Sequence, residues 1–354
     1  MTPKRVALIT TTINVPTMLQ LYANDWSIDD ELDGALEIIV AGDVQTPPEA
    51  EDFVKELGGT YIPTDSMLAK RWRTDKHVGH RSIQRRNIAL LHAIASGADI
   101  ILTVDDDNTP SRDYFCDLLN EFDRQSHRVF TAKSGWFNPC SMLYPKTIAR
   151  GFPIAERHPH EMSGVYMWRD DIRIGVVNGL TTGDPDIDAI ERLVNWPKAD
   201  SLTTEDNIVL AADTWAPFNT QNTAFVRELA PLMQCLVGVG RYDDIFMSYI
   251  ARVIMDATGW HVNYGEPTTH SVRNDHDILV DLEKEMYGYK LQARLIEALR
   301  DFRDEWMQEA SGSIISALSV LYEHISPLLR EETIAANTAW IADVETAMKE
   351  GEHD

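Results

Sequence analysis

Three consecutive carboxylates, Asp105-Asp106-Asp107, follow a run of apolar or β-branched residues, Ile100-Ile101-Leu102-Thr103-Val104. The run reads as a buried strand. Its carboxylates then emerge at the strand's carboxyl end, where open α/β sheets place their ligands. Burying such a cluster unpaired would be very costly. Hard oxygen donors of this kind suit Mg²⁺ or Mn²⁺, an ion often shared with the phosphates of a nucleotide. Asp105 and Asp107 are the candidate metal ligands, and Asp106 is placed against the nucleotide. His270, in Thr269-His270-Ser271, is either a third ligand or a satisfied loop histidine. An acidic turn on a solvated loop is the plain alternative for the whole cluster.

Three further groups carry chemistry. Lys70 to Arg86 forms a basic island, with Lys70, Arg71, Arg73, Lys76, Arg81, Arg85 and Arg86. Arg85 or Arg86 suits a diphosphate through its planar fork of donors, against the plainer role of a solvated basic surface. Arg150 and Arg157 flank a Gly-Pro loop and could bracket an anionic substrate or serve in structural ion pairs. Asp243-Asp244 opens a strongly apolar helix. One carboxylate would cap it, and a pair invites a catalytic or sugar-hydroxyl-binding role.

The elements that must position these groups are legible in order. Val6-Ala7-Leu8-Ile9 reads as a first strand, with Thr10-Thr11-Thr12 as a small polar turn against a nucleotide. A helix over Thr17–Trp26 follows, then a strand over Leu36–Asp43. Asp43 either contacts a nucleoside or is a loop residue. A helix after Pro47-Pro48 and a short edge strand at Tyr61-Ile62-Pro63 complete a strand–helix alternation. That alternation predicts a three-layer α/β domain with a mostly parallel sheet. A helix is expected over Gly79–His92 and another over Arg112–Phe122, then strands at Val129–Ala132 and Val176–Leu180. The remainder of 133–200 is expected to supply substrate-facing loops. Asn219 to Phe225, with Asn222 a candidate nucleotide contact, is a polar segment before a helix over Val226–Met233. Trp260 to Gly265 alternates as a strand. From Asp281 the chain reads as helical, so residues 1–280 are expected to form the α/β domain and 281–354 an extension packing on the core or on a partner subunit.

The chain has 354 residues, with 44% hydrophobic and 25% charged, as in ordinary soluble globular proteins. Its 32 basic against 56 acidic residues give a formal charge of −24, a field that disfavours nucleic acid and anionic membranes as partners. Three widely spaced cysteines, Cys116, Cys140 and Cys235, make neither a disulfide framework nor a zinc cluster. Met1-Thr2-Pro3-Lys4-Arg5 leads straight into a strand and no run reaches membrane-spanning length, so a cytoplasmic protein is expected. A homo-oligomer is a further expectation from the helical tail.

The acidic strand end after an α/β half resembles nucleotide-sugar enzymes of the glycosyltransferase A type. The resemblance implies a Rossmann-like three-layer sandwich with a mostly parallel central sheet. Ile39–Pro48 (IVAGDVQTPP) and Arg85–Asn108 (RRNIALLHAIASGADIILTVDDDN) resemble the plant Golgi STELLO family. Arg150–Arg157 (RGFPIAER), Asn219–Phe225 (NTQNTAF), Gly240–Asp244 (GRYDD) and Tyr264–Ser271 (YGEPTTHS) resemble the reversibly glycosylated polypeptides, which include the UDP-arabinopyranose mutases. This resemblance implies a pyranose/furanose mutase acting on a nucleoside-diphosphate sugar, with Mn²⁺ or Mg²⁺ and with neither flavin nor NAD. A glycosyltransferase is the alternative. It also implies Arg157 as the position matching the family's reversibly glycosylated arginine, either as nucleophile or as diphosphate clamp. The chain departs from the mutases after Arg157, where it reads His158-Pro159-His160.

Overall fold

The computed structural model describes residues 4–28, 34–157, 163–195, 198–202, 207–272, 277–306 and 312–352. The His158-Pro159-His160 departure lies outside them. The first half alternates as its sequence predicts. Strands β1 (Val6–Thr12), β2 (Leu36–Gly42), β3 (Thr60–Ile62) and β4 (Ile100–Val104) are separated by helices α1 (Leu19–Ile28), α2 (Glu49–Glu56), α3 (Met67–Lys70), α4 (Asp75–Val78) and α5 (Arg86–Ala95). β1 and β4 are buried along their whole length. Thr10 to Thr12 are the end of β1 and not a turn. The Thr10 hydroxyl donates to the Val104 carbonyl at 2.7 Å and that of Thr11 to Ala41 at 2.7 Å, so each is satisfied by a neighbouring strand. The helix expected from Gly79 starts late: a 3₁₀ turn over Ile83–Arg85, whose Ser82 side chain accepts from the Gln84 amide, feeds α5.

The second half departs from expectation. It contains β5 (Asn108–Pro110), β6 (His127–Ala132), β7 (Leu143–Tyr144), β8 (Gly164–Arg169), β9 (Arg173–Gly183), β10 (Ser201–Leu202), β11 (Ile208–Leu210), β12 (Asn222–Val226) and β13 (Trp260–Ser271). Among them lie α6 (Tyr114–Asp123), α7 (Ala189–Val194) and α8 (Asp243–Thr258). Among the described residues one eleven-stranded sheet runs β3-β2-β1-β4-β12-β9-β13-β11-β6-β8, with β5 on β13, and β7 and β10 form a separate antiparallel pair. β1 to β4 pair in parallel. Beyond them β12 runs antiparallel to both β4 and β9, and β11 antiparallel to β13. The single glycosyltransferase A-like sandwich with a mostly parallel sheet is therefore corrected to a large mixed sheet, a small second sheet and a helical extension.

The physical reason is visible in β12. Asn222 and Thr223 are fully buried, yet their polar groups are met within the sheet. Asn222 donates to Leu180 O and to Thr268, and Thr223 accepts from Asn178 at 2.7 Å. A polar segment can thus be a central strand when its neighbours supply partners. What was expected as a helix over Val226–Met233 is a 3₁₀ segment, Arg227–Leu232, carrying Pro231.

Helices α9 (Ile278–Trp306), α10 (Ile314–Ile325) and α11 (Glu331–Glu350) pack on the same chain's core, sharing one apolar cluster with α5 and α8. The Trp340 indole donates to Pro231 O at 2.8 Å, and Asp343 accepts the Thr74 amide at 2.7 Å. A second cluster on the other side of the sheet joins α1, α2 and α6. Among the described residues no helix is long and apolar enough to cross a membrane.

Candidate functional site

The carboxyl ends of β1, β2 and β4, the start of α8 and the loop before α7 enclose a cavity of about 450 Å³, within the range of small-molecule sites. Thr11, Asp43, Arg86, Asp105, Asp106, Asp107, Arg150, Asp243 and Asp244 line it. The sequence reading placed all of these in its site. The Asp43 carboxylate does local work as well: it accepts the backbone amides of Val44, Arg81 and Ser82 at 2.6, 2.9 and 3.0 Å, fixing the turn ahead of α5.

At the β4 end, the Arg86 guanidinium bonds Asp105 at 2.5 Å and the Thr220 carbonyl at 2.8 Å. Burial pushes Asp105 above the usual carboxylate range, and Arg86 offsets only part of that. Asp106 accepts from the Thr12 hydroxyl at 2.5 Å and from Asn14. All three carboxylates are partly exposed.

The opposite wall is drier. Gly240 has φ +67°, and a Cβ there would fall 2.1 Å from the Lys284 carbonyl. Only glycine fits, and it turns the chain so that Asp243 and Asp244 start α8 facing the cavity. Arg150 grips Asp244 with two parallel bonds of 2.9 and 3.0 Å and Asp186 with two of 2.7 and 2.9 Å. Its remaining donor goes to the Arg241 carbonyl. All five N–H donors of the guanidinium are thereby used. Burial works against the Arg150 charge, but the two carboxylates outweigh it and hold its proton more tightly than usual. Burial likewise opposes the Asp186 charge, and Arg150 outweighs it, keeping that carboxyl below its usual range.

Asp243 is the contrasting member of the pair. Burial, then the neighbouring Asp244 charge, push it up to about 7. The Gln84 side-chain amide donates to it at 2.9 Å. Gln84 is itself oriented by the Ser82 hydroxyl, which bonds its Oε1. A continuous path thus runs from Asp43 through Ser82 and Gln84 to Asp243.

Several predicted residues lie elsewhere. Thr10 faces the sheet. Arg85 is buried against the Gly42 carbonyl at 3.0 Å and Asp75 at 2.8 Å. Asn222 pins strands together. Arg157 is buried against Asp188, whose other oxygen caps α7 through the Glu191 amide. With Arg150 saturated and Arg157 turned to Asp188, the two arginines do not bracket the cavity. His270 stands on β13 with its Nδ1 3.0 Å from the Thr182 hydroxyl, and lines a separate cavity of about 260 Å³ that meets the main one at Asp184 and Ser271. Asp105, Asp107 and His270 are therefore not brought together, and among the described residues no group of three or more His, Cys, Asp or Glu is arranged to hold a metal.

Sequence reasoning missed Asp184, Asp186, Arg192 and Arg241, which line the cavity, and Gln84, which bonds Asp243. Asp184-Pro185-Asp186-Ile187-Asp188 reads as a helix cap, but a cap uses one carboxylate. Asp188 takes that role, while Asp184 pairs with Arg192 at 2.9 Å and Asp186 with Arg150. The surplus of carboxylates was the signal. Arg241 reaches α9, bonding Glu285 at 3.2 Å and Asp281 at 3.4 Å.

The family described as reversibly glycosylated polypeptide matches residues 90–316. UDP-arabinopyranose mutase 3 of Arabidopsis thaliana is 27% identical over 242 residues, covering 66% of this chain and 61% of that protein. UDP-arabinopyranose mutase 1 of the same plant is 26% identical over 207 residues, covering 55% and 54%. The chain thus spans only 54–61% of the length of these two curated relatives. None of these matches carries the STELLO-type likeness of the first half. Among solved structures, glucosyl-3-phosphoglycerate synthase of Mycobacterium tuberculosis, in complex with Mn²⁺, UDP-glucose and phosphoglyceric acid, is 10% identical with a TM-score of 0.42, covering 84% of this chain and 79% of that one. A mannosyltransferase of Pyrobaculum calidifontis in complex with GDP-mannose and Mn²⁺ is 14% identical with a TM-score of 0.39, covering 99% and 73%.

Proposed function

The chain belongs to the reversibly glycosylated polypeptide family, and on that premise we propose that it is a metal-dependent, flavin-independent mutase interconverting pyranose and furanose forms of a nucleoside-diphosphate sugar. The observation that carries the reading is one cavity with two unlike acidic walls. The strand-end wall suits a diphosphate and its cation, and the α8 wall suits a sugar and its protons.

The fit of a cation is tested by the donor set. Mg²⁺ and Mn²⁺ take hard oxygens, and Mg²⁺ commonly uses one or two carboxylates with substrate phosphates rather than an all-protein cage. Asp105 and Asp107, partly exposed on the cavity wall, fit that pattern without His270. A bound ion there supplies Lewis-acid withdrawal of charge into the departing diphosphate.

The chain's own residues do the rest. Arg86 holds Asp105 in place while facing the cavity. When the C1–O bond breaks, its electron pair leaves on the diphosphate. The hydroxyl that closes the new ring attacks C1 and passes its proton to Asp243; Asp243 returns that proton to the former ring oxygen as its bond to C1 breaks, and the diphosphate adds back to C1. A carboxyl poised near 7 can both take and return a proton at neutral pH. Asp244, locked by Arg150, orients hydroxyls and keeps the wall in position. The sugar stays in the cavity and is not carried on Arg157, which is turned to Asp188.

A glycosyltransferase is the second reading. The adjoining cavity at His270, Lys198 and Asp200, joined to the main one at Asp184 and Ser271, is the observation favouring it, as room for an acceptor. The two are separated by incubating the protein with Mn²⁺ and a panel of uridine and guanosine diphosphate sugars, without acceptor, and resolving products by chromatography. The mutase gives an isomer of identical mass. No isomer from any sugar, with nucleotide binding intact, overturns the mutase and directs the search to acceptors.

A further inference from the structure

A second cavity, of about 290 Å³, opens between α6 and the β9–β13 part of the sheet, and it shares no lining residue with the main site. Its floor includes Gly179 and Gly265, paired in register on β9 and β13. A Cβ on Gly265 would fall 2.6 Å from the Asn207 side-chain oxygen, so the glycine is what admits that amide to the wall. Glycine inside a strand often marks such a close approach.

The wall is rich in acceptors. Asp117 and Glu121 come from α6, and Glu266 and Asn263 from β13. Asn263 is fully buried, its amide nitrogen donates to Glu121 at 2.5 Å, and its Oδ1 has no partner. An acceptor left unmet in a dry site is unfavourable and is relieved by a ligand that brings a donor. Donors stand close by: Arg124, paired to Glu121 at 2.8 Å, and Arg128, stacked over Tyr166 at 4.0 Å, also line the cavity. Three carboxylates and two guanidinium groups nearly balance, which disfavours a strongly charged guest. Trp168 contributes an indole that is 67% exposed.

Mixed donors and acceptors beside an exposed indole suit a molecule whose every hydroxyl both donates and accepts and whose ring also has a C–H face. We propose that this cavity is a second ligand site, for an uncharged sugar unit, with Trp168 stacking on the ring and Asp117, Glu266 and Asn263 accepting from its hydroxyls. It stands apart from the mutase or transferase reading and does not depend on either. Burial and the Glu266 charge push Asp117 up to about 6, in keeping with carboxylates crowded at the same mouth.

The test is saturation-transfer NMR on the full chain with free D-glucose, D-galactose, D-xylose and L-arabinose, with and without excess UDP. The expected result is transfer to at least one sugar that persists under UDP. That affinity falls about tenfold in Trp168→Ala and in Asp117→Asn. Both side chains are exposed, so the variants should melt like the parent. Transfer to no sugar overturns the proposal. So does transfer abolished by UDP, or unchanged in both variants. Displacement of the sugar by spermidine or Ca²⁺ at micromolar levels would reassign the cavity to a cation and overturn the uncharged class.

Discussion

Two acidic corners face each other across one cavity and are built on opposite principles. Asp105, Asp106 and Asp107 follow the end of a strand and remain partly open to water, with Asp105 paired to Arg86 and Asp106 accepting from Thr12 and Asn14. Asp243 and Asp244 begin a helix and are buried. There a single arginine pairs with Asp244 and Asp186 together, while burial and then the Asp244 charge raise Asp243. Water-accessible carboxylates can exchange partners, so they can take a cation with its phosphates. Buried ones cannot, and what they gain is control of a proton. Residue type alone does not separate these uses; solvent access and the placement of arginine do.

The sharpest way to break the comparison is to make the buried corner unable to titrate. Asp243→Asn should lower turnover by about 10²- to 10⁴-fold, the usual range for a general base. Nucleotide binding, read by calorimetry, should stay within about twofold, since the strand-end corner is untouched. Turnover that survives would remove Asp243 from the proton transfer. The same variant carries a stability signature. The unfolded carboxyl titrates near ~3.9, whereas the folded one is pushed up to about 7. Between these values the native state binds a proton that the unfolded chain releases, so the parent loses stability as pH rises from about 4 to about 7. Asp243→Asn should flatten this slope and melt higher than the parent at pH 8.

The neighbouring carboxylate should respond in the opposite sense. Asp244→Ala leaves Arg150 buried with half its partners gone, and breaking such a pair costs about 3–5 kcal/mol. A large fall in the melting midpoint is expected at every pH from 5 to 8. An unchanged midpoint would mean that Asp186 alone can hold Arg150. At the strand-end corner, Asp107→Ala should leave the melting midpoint nearly unmoved, because that carboxylate is partly exposed. It should instead reduce the Mn²⁺-dependent part of nucleotide affinity by about tenfold or more. Affinity equally independent of Mn²⁺ in parent and variant would sink the cation reading for this corner.

How far the site could be read from sequence follows the same division. The strand-end corner was legible because five apolar or β-branched residues break into three aspartates, a contrast that survives without tertiary information. The β1–β4 half was legible for a related reason, since buried parallel strands alternate with helices in plain sequence. The β12 segment was not, because Asn222 and Thr223 look like loop residues until Asn178, Leu180 and Thr268 are seen to satisfy them. Arg150 and Arg157 were legible as a pair but not in their roles. Which carboxylate an arginine chooses is decided by residues 31 to 94 positions away, Asp188 for one and Asp186 and Asp244 for the other. Gln84 carried no signal of its own, since an amide in a basic helix start has no charge to notice.

That unremarked amide gives the smallest and most discriminating test. Gln84 donates to Asp243 at 2.9 Å, a bond that favours the charged carboxylate. Gln84→Met keeps the length of the side chain and removes the donor, so Asp243 should rise further, by up to about one unit. A base must be deprotonated to work, so the acid limb of the pH–rate profile should move to higher pH while the rate on the alkaline plateau changes little. Gln84→Glu should move the limb further in the same direction, because it adds a negative charge beside the base. A merely structural role for Gln84 would lower rate or stability without moving the limb. Carbon-13 carboxyl NMR of Asp243, assigned by the signal lost in Asp243→Asn, reads the same shift directly and holds whatever the reaction proves to be. A limb and a carboxyl titration that both stay in place would show that Asp243 is set by Asp244 and burial alone, and that the path from Asp43 through Ser82 does not reach the base.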